Sequence, residues 1–267
     1  MRQWWLLPAL ICLFLLSPSR PQEPTLLQFG PPESKSLRWS IKMQRSLLKG
    51  GRRLSESSLT ILDESVRRKD SLLLWETKVV QYLVNGQAVS VAGWSALSSE
   101  TDRCGRPTKP IQLPSPIPED LDEWIQDLFS AISLVLPDRP VRFGDRWTYT
   151  INVGLKPPQE PRSLKVSYEL KKGEVTNKVS SMVISVRCEV PLRLIWRRAD
   201  GNWTVTGGGA VTGHFWFDPA LSILRKRKTQ FSFGYTLERE YQAAGEWVQS
   251  SQFVNGSVEV EGQVTNL

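Results

Sequence analysis

Apolar residues recur at every second position through most of this chain, and that period admits few folds. Leu37, Trp39, Ile41 and Met43 alternate with Arg38, Ser40, Lys42 and Gln44. Trp147, Tyr149, Ile151 and Val153 repeat the pattern, as do Leu164, Val166, Tyr168 and Leu170. It continues over 179–190, 203–206 and 210–217, and through Phe231, Phe233, Tyr235 and Leu237. Successive side chains of a strand point to opposite faces, so alternation marks one buried face and one wet face. Such strands belong to antiparallel sheets, and short connections favour meander order. Segments 57–67 and 72–84 read as two further strands. Lys49-Gly50-Gly51-Arg52 reads as a turn. Asn85-Gly86 carries the type I′ hairpin signature, leading into a return strand over 87–94. Asn255-Gly256 carries the same signature and predicts a hairpin joining Trp247–Val254 to Ser257–Val264.

One segment has a different period. Between Pro118 and Val135, Leu121, Trp124, Ile125, Leu128, Phe129, Ile132 and Val135 fall at three- and four-residue spacing. That is one face of a helix, with Asp122, Glu123, Gln126, Asp127, Ser130 and Ser133 opposite. Acidic residues in its first turns suit the helix dipole, and Pro137 and Pro140 stop it. The expected fold is mainly β (α+β): a large curved antiparallel sheet, a half-barrel, packed on one long amphipathic helix over 118–135. A two-sheet β-sandwich is the alternative. The apolar groove between sheet and helix would be built from Trp124, Leu128, Trp147, Phe231, Phe233 and Tyr235.

The N-terminal end reads as an address. Met1-Arg2-Gln3 is followed by the apolar run Trp4–Leu16 and by Ser17-Pro18-Ser19, small residues suited to a cut after Ser19. This is the layout of a secretory signal peptide. The apolar run is shorter than the roughly 20 residues a membrane span needs, so no transmembrane anchor is expected after cleavage. The expected organisation is a signal peptide over 1–19, a Pro-rich flexible tail over 20–34, and a single β-rich domain over 35–267. The location would be secreted or periplasmic.

In an exported chain, Cys104 and Cys188 could be joined in a disulfide. A buried free thiol is the other reading for Cys188, which lies in line with Met182, Ile184, Val186 and Val190. Neither cysteine has metal-site spacing, and no cofactor is expected.

The acid–base inventory is thin. His214 is the one histidine of the chain and sits inside a strand pattern. Gly207-Gly208-Gly209 lacks the Lys-Ser/Thr of a phosphate loop and reads as a turn or linker. The formal charge is +7, from 34 basic and 27 acidic residues. The basic pairs are scattered and no nucleic-acid motif accompanies them, so nucleic acid is not an expected partner. The densest basic run is Arg225-Lys226-Arg227-Lys228. With Trp216, Arg225 and Arg227 suggest a surface patch for a glycan or an anionic polymer.

The segment Pro140-Val141-Arg142-Phe143-Gly144-Asp145-Arg146-Trp147, following a helix and opening a β-rich half, resembles a stretch of uncharacterised bacterial secreted proteins. Those are similar in plan to lipoprotein carriers of the LolA/LolB type. Gly213-x-Phe215-x-Phe217-Asp218, followed by Ile223-Leu224 and a long strand, fits the same pattern, so the resemblance spans about residues 118–240. It implies a half-barrel with a hydrophobic concave face capped by helices, and no catalytic residues. The family's lid uses more than one helix, where this chain shows one. The expected function is therefore that of a non-enzymatic envelope protein holding an apolar or acylated ligand between sheet and helix. Its partners would be a lipid, a lipoprotein or a cell-wall polymer. A glycan- or wall-polymer-binding module is the first alternative and an enzyme of unknown type the second.

Overall fold

The computed structural model describes residues 23–31, 36–113, 116–118, 120–130, 132–154, 162–176, 179–198, 201–244 and 246–266. The expected signal peptide at 1–19 lies outside them. The strands are β1 (Leu37–Lys49), β2 (Arg52–Lys69), β3 (Leu72–Val84), β4 (Gln87–Val89), β5 (Leu97–Asp102) and β6 (Ile111–Gln112). A helix, α1 (Leu121–Ser130), comes next. Then follow β7 (Arg146–Gly154), β8 (Arg162–Thr176), β9 (Val179–Arg198), β10 (Gly201–Asp218), β11 (Ile223–Ala243) and β12 (Glu246–Val264).

All twelve strands join one sheet, ordered β4-β3-β2-β1-β12-β11-β10-β9-β8-β7-β6, with β5 paired to β3 off this path. Neighbours run antiparallel throughout except β6 and β7, which are parallel. The mainly-β, antiparallel expectation holds, and the two-sheet sandwich does not form. The sheet is open, with β4 and β6 at the ends of its path. The first long strand pairs with the last, from Trp39↔Val264 to Lys49↔Val254.

The turns follow backbone chemistry where a positive φ is needed. Gly50 and Gly51 sit at φ 56° and 75°, and Asn85 and Gly86 at 49° and 81°, the type I′ geometry expected of a two-residue hairpin. Asn255-Gly256 does not turn. β12 runs through it unbroken, with Asn255 opposite Gly234 and Leu48, and Gly256 opposite Phe233 and Leu47. A Cβ at Gly256 would strike the Phe233 ring, so this glycine serves a close approach and not a reversal. Gly207-Gly208-Gly209, expected as a turn, is likewise mid-strand in β10, paired to Tyr235, Gly234 and Phe233. A Cβ at Gly209 would lie 2.6 Å from Ser232 O and 3.1 Å from the Phe129 ring, so its absence lets the helix sit down on the sheet.

The helix is shorter than its apolar spacing predicts, 121–130 in place of 118–135. Leu121, Trp124, Ile125, Leu128 and Phe129 are buried as the helical face requires. Ile132, Leu134, Val135 and Leu136 are buried too, but outside the helix. Side chains of the sheet capture their backbone: Tyr168 OH donates to Ser133 O (2.6 Å) and Trp147 Nε1 to Val135 O (2.8 Å). Leu136 N donates to Cys104 O at 2.8 Å. These tertiary bonds, with Pro137 downstream, outweigh the continuation of the helix.

The N-terminal segment is also more ordered than the expected loose tail. Within 23–31, Leu27 is 0% exposed and Phe29 joins the main core. Thr25 pairs with Val141, Phe29 N donates to Arg103 O (2.7 Å) and Gly30 N to Ser222 O (3.0 Å). Gly105, at φ 81°, makes the docking possible, since a Cβ there would meet Phe29 at 2.8 Å and Leu134 O at 2.9 Å. No helix among the described residues is long and apolar enough to cross a membrane.

Candidate functional site

The inner face of the sheet is the one bearing Leu164, Val166, Tyr168, Phe215, Phe231, Phe233 and Tyr235, all buried. Its cover is small. Strands β9 to β12 run 18–21 residues each, about 60 Å or more at ~3.3 Å per residue. The ten residues of α1 span about 15 Å. Helix, N-terminal segment and the 132–141 stretch cannot cover the whole face, and a cavity of about 930 Å³ is left over one end of β1, β2, β3 and β5.

Register builds the cavity floor. Trp39 stands opposite Leu62, Leu37 opposite Glu64, and Glu64 in turn opposite Thr77. Trp75 stands opposite Ser99 of β5 and donates its Nε1–H to Thr101 Oγ1 at 2.9 Å. Phe29 packs edge-on against Trp75, with ring centroids 6.3 Å apart. Ile41, Leu224 and Leu134 add apolar wall, and the 105–111 loop forms the opposite side.

Glu64 and Arg227 face this space, and Arg67, Glu76, Glu100 and Lys109 also line it, Arg67, Glu76 and Lys109 being exposed. Glu64 accepts a hydrogen bond from Trp39 Nε1 at 3.1 Å. Burial pushes its carboxyl above the ordinary range, against hydrogen bonds from Trp39 and Thr77 and the charge of Arg227. Arg227 reaches in from β11, where it stands opposite Phe215 and Gly262. Burial holds its pKa below the usual arginine value, and the charge of Glu64 opposes that shift. Its Nε is sealed from solvent without a hydrogen-bond partner. A bare inner position at Gly262 makes room for it, since a Cβ there would lie 3.3 Å from both Cγ and Nε of Arg227.

The residues expected to line a groove lie elsewhere. Trp124 and Leu128 are buried on the inner side of α1, and Phe231, Phe233 and Tyr235 are buried on the sheet. Phe231, Phe233 and Tyr235 stack in sequence along β11, and Phe129 of the helix stacks on Phe231. Tyr235 OH donates to Asp122 Oδ1 at 2.5 Å, and Lys49 Nζ meets Asp122 Oδ2 at 3.1 Å. Trp147 stacks on Tyr168. Between helix and sheet a small space of about 40 Å³ remains, beside Gln126, Phe129, Phe215 and Phe231; the larger opening lies beyond the end of α1.

The expected surface patch is divided. Arg225 pairs with the buried Asp218 at 2.6 Å, and Arg227 turns inward. Trp216 stays on the outer face, where Lys226 Nζ lies 5.3 Å from its ring centre and Glu174 accepts from its Nε1 at 3.3 Å. A bulge between Trp216 and Phe217 shifts the register past Arg225, while Arg227 keeps the inward parity of Phe231, Phe233 and Tyr235. His214 is exposed on the outer face beside Trp216.

The two cysteines are free and buried, so the disulfide is not made. Cys104 Sγ lies 3.8 Å from Pro137 O, while Cys188 is in β9 under the core. Burial raises both thiols, Cys188 to about 11, which keeps them protonated and unreactive. No group of His, Cys, Asp and Glu among the described residues could hold a metal ion.

Glu64 and the inward role of Arg227 were missed from sequence. The available signal was negative: β2 lacks clean alternation, with Leu59 and Ile61 on one face and Leu62, Glu64 and Val66 on the other. A charge at an inward position of such a strand is the mark of a wet or ligand-facing surface. No family model matches the chain, and no curated protein matches it in sequence.

Proposed function

We propose that this is an exported, non-enzymatic protein that holds an apolar or acylated ligand in the cavity over β1–β3, on the concave side of a half-barrel. The observation that carries the reading is the cavity itself. At about 930 Å³ it lies at the upper end of small-molecule sites, and its mixture of aromatic walls with a few inward polar groups is what such sites use. Trp39, Trp75, Leu62 and Leu224 offer apolar contact that the chain's own short helix does not take up. The exported location rests on the leader-like 1–19 segment, and the carrier role agrees in plan with the LolA/LolB-type proteins that the 140–147 segment resembles. A binding role is favoured over a catalytic one because His214 lies on the opposite face of the sheet and both thiols are buried. The glycan alternative is weakened by Lys226 over the Trp216 ring, which occupies a face that a sugar would need.

The test is native mass spectrometry of the full chain exported from a bacterial host and purified without detergent. A co-purified lipid on the wild type, reduced on a Leu62→Trp variant that narrows the cavity, is the expected result. A bare mass for the wild type, with no uptake of added dodecanol, removes the reading.

A further inference from the structure

Arg227 brings a buried, unpaired donor to the cavity wall. Its Nε is shut off from water and has no hydrogen-bond partner among the described residues. A buried donor left unpaired is costly, and native proteins rarely leave one without a reason. Glu64 does not complete it. That carboxylate shares the cavity but makes no ion pair with Arg227, and it already takes donors from Trp39 and Thr77. Neighbouring basic residues on the same strand are spoken for: Arg225 by Asp218, Lys226 by Glu261 and Lys228 by Glu259. The Nε of Arg227 is thus a buried donor without an acceptor of its own. An acceptor supplied from outside would sit between the apolar walls of Trp39, Leu62 and Trp75, which suit an anion attached to a chain.

Building on the ligand-binding reading above, we infer that the cavity takes a single-chain amphiphile with an acidic head group, carboxylate or phosphate, whose head is held by Arg227 and whose chain lies along Trp39, Leu62 and Trp75. The planar fork of an arginine suits either acid, because it can meet two oxygens at once. The partly buried setting of Arg227 strengthens charge-assisted bonds relative to those on a fully exposed surface.

Titration of intrinsic tryptophan fluorescence tests this with four probes below their micelle concentrations: dodecyl phosphate, dodecanoate, dodecanol and inorganic phosphate. The full chain should bind the two acids about 10- to 100-fold more tightly than dodecanol, the range a charge-assisted bond supplies. Arg227→Met should erase that preference and leave dodecanol binding unchanged, while Arg227→Lys should keep part of it. Thermal unfolding by circular dichroism separates loss of the site from loss of the fold. Dodecanol binding as tightly as the acids, a preference surviving in Arg227→Met, or inorganic phosphate alone matching dodecyl phosphate each overturns the inference while sparing the cavity reading. No uptake of any dodecyl probe overturns both.

Discussion

Two regions of one sheet face share strand chemistry and differ in what lies above them. Over β9 to β11, α1 and the 132–136 stretch press down on the inner side chains, and Phe129, Phe231, Phe233 and Tyr235 form a continuous aromatic stack. Over the Leu37–Ile41 end of β1 and its neighbours in β2 and β3, equally large side chains face an opening. The difference is one of supply. A ten-residue helix can cover only a few strand widths, and the long strands outrun it. Each half also carries a carboxylate drawn into its interior. Asp122 is closed off by Tyr235 and Lys49, whereas Glu64 looks into the cavity with Trp39 as its near donor. The packed half thus fixes the fold, and the open half is left available for a ligand.

The sharpest way to break this contrast is to remove equivalent bulk from each half. Phe231→Ala should cost about 3–5 kcal/mol, because it leaves a void between Phe129 and Phe233 that the surrounding layers cannot fill. Leu62→Ala, on the cavity wall, should cost roughly 1 kcal/mol, since the side chain is only partly withdrawn from water. Urea unfolding of both variants checks the pair. Equal losses would mean that the open half is as tightly built as the packed one, and the division would fall.

A smaller effect probes the polar seam of the packed half. Tyr235 donates to Asp122 at 2.5 Å, and burial together with that bond raises the phenol well above its usual pKa. Tyr235→Phe keeps the ring in its stack but leaves Asp122, whose side chain is 12% exposed, with Lys49 as its remaining partner. The expected loss is about 1.5–3 kcal/mol, the range for a hydrogen bond to a charged group. A variant as stable as the wild type would show that water replaces the phenol and that the seam is open.

The same contrast explains what could be read from sequence. Strands such as 147–153 and 164–170 were legible because each has one buried and one wet face, and the pairing order follows from their short connections. The helix was legible in type but not in length, because Ile132 and Val135 keep helical spacing while Tyr168 and Trp147 claim their backbone from a distance. The two Asn-Gly pairs make the limit plain. Asn85-Gly86 turns and Asn255-Gly256 does not, since the second glycine answers to the Phe233 ring, a contact made across the sheet. The cavity was the least legible feature. A void is set by what fails to cover a surface, and the residues facing it, Trp39 among them, look like core residues in the sequence. Arg227 was singled out with the right chemistry and the wrong face, although the same alternation that points Phe231, Phe233 and Tyr235 inward carries Arg227 inward with them.

The subtlest test concerns Glu64, whose carboxyl titrates above the ordinary value of 4.5 because burial outweighs the help of Trp39, Arg227 and Thr77. The folded protein therefore holds this proton more tightly than the unfolded chain does. As pH rises from the ordinary value through the raised one, the folded state loses relative stability. The penalty is absent below the ordinary carboxylate range and fully present above the raised pKa. Glu64→Gln keeps an acceptor for Trp39 Nε1 and removes the charge, so it imitates the protonated form. It should unfold at a higher temperature than the wild type near pH 7, and the two melting curves should converge as the pH falls below about 4. Melting followed by circular dichroism across that range decides it. A Gln variant less stable than the wild type at neutral pH would mean that Arg227 neutralises Glu64 within the protein, and the guanidinium would then have no charge to offer an acidic ligand.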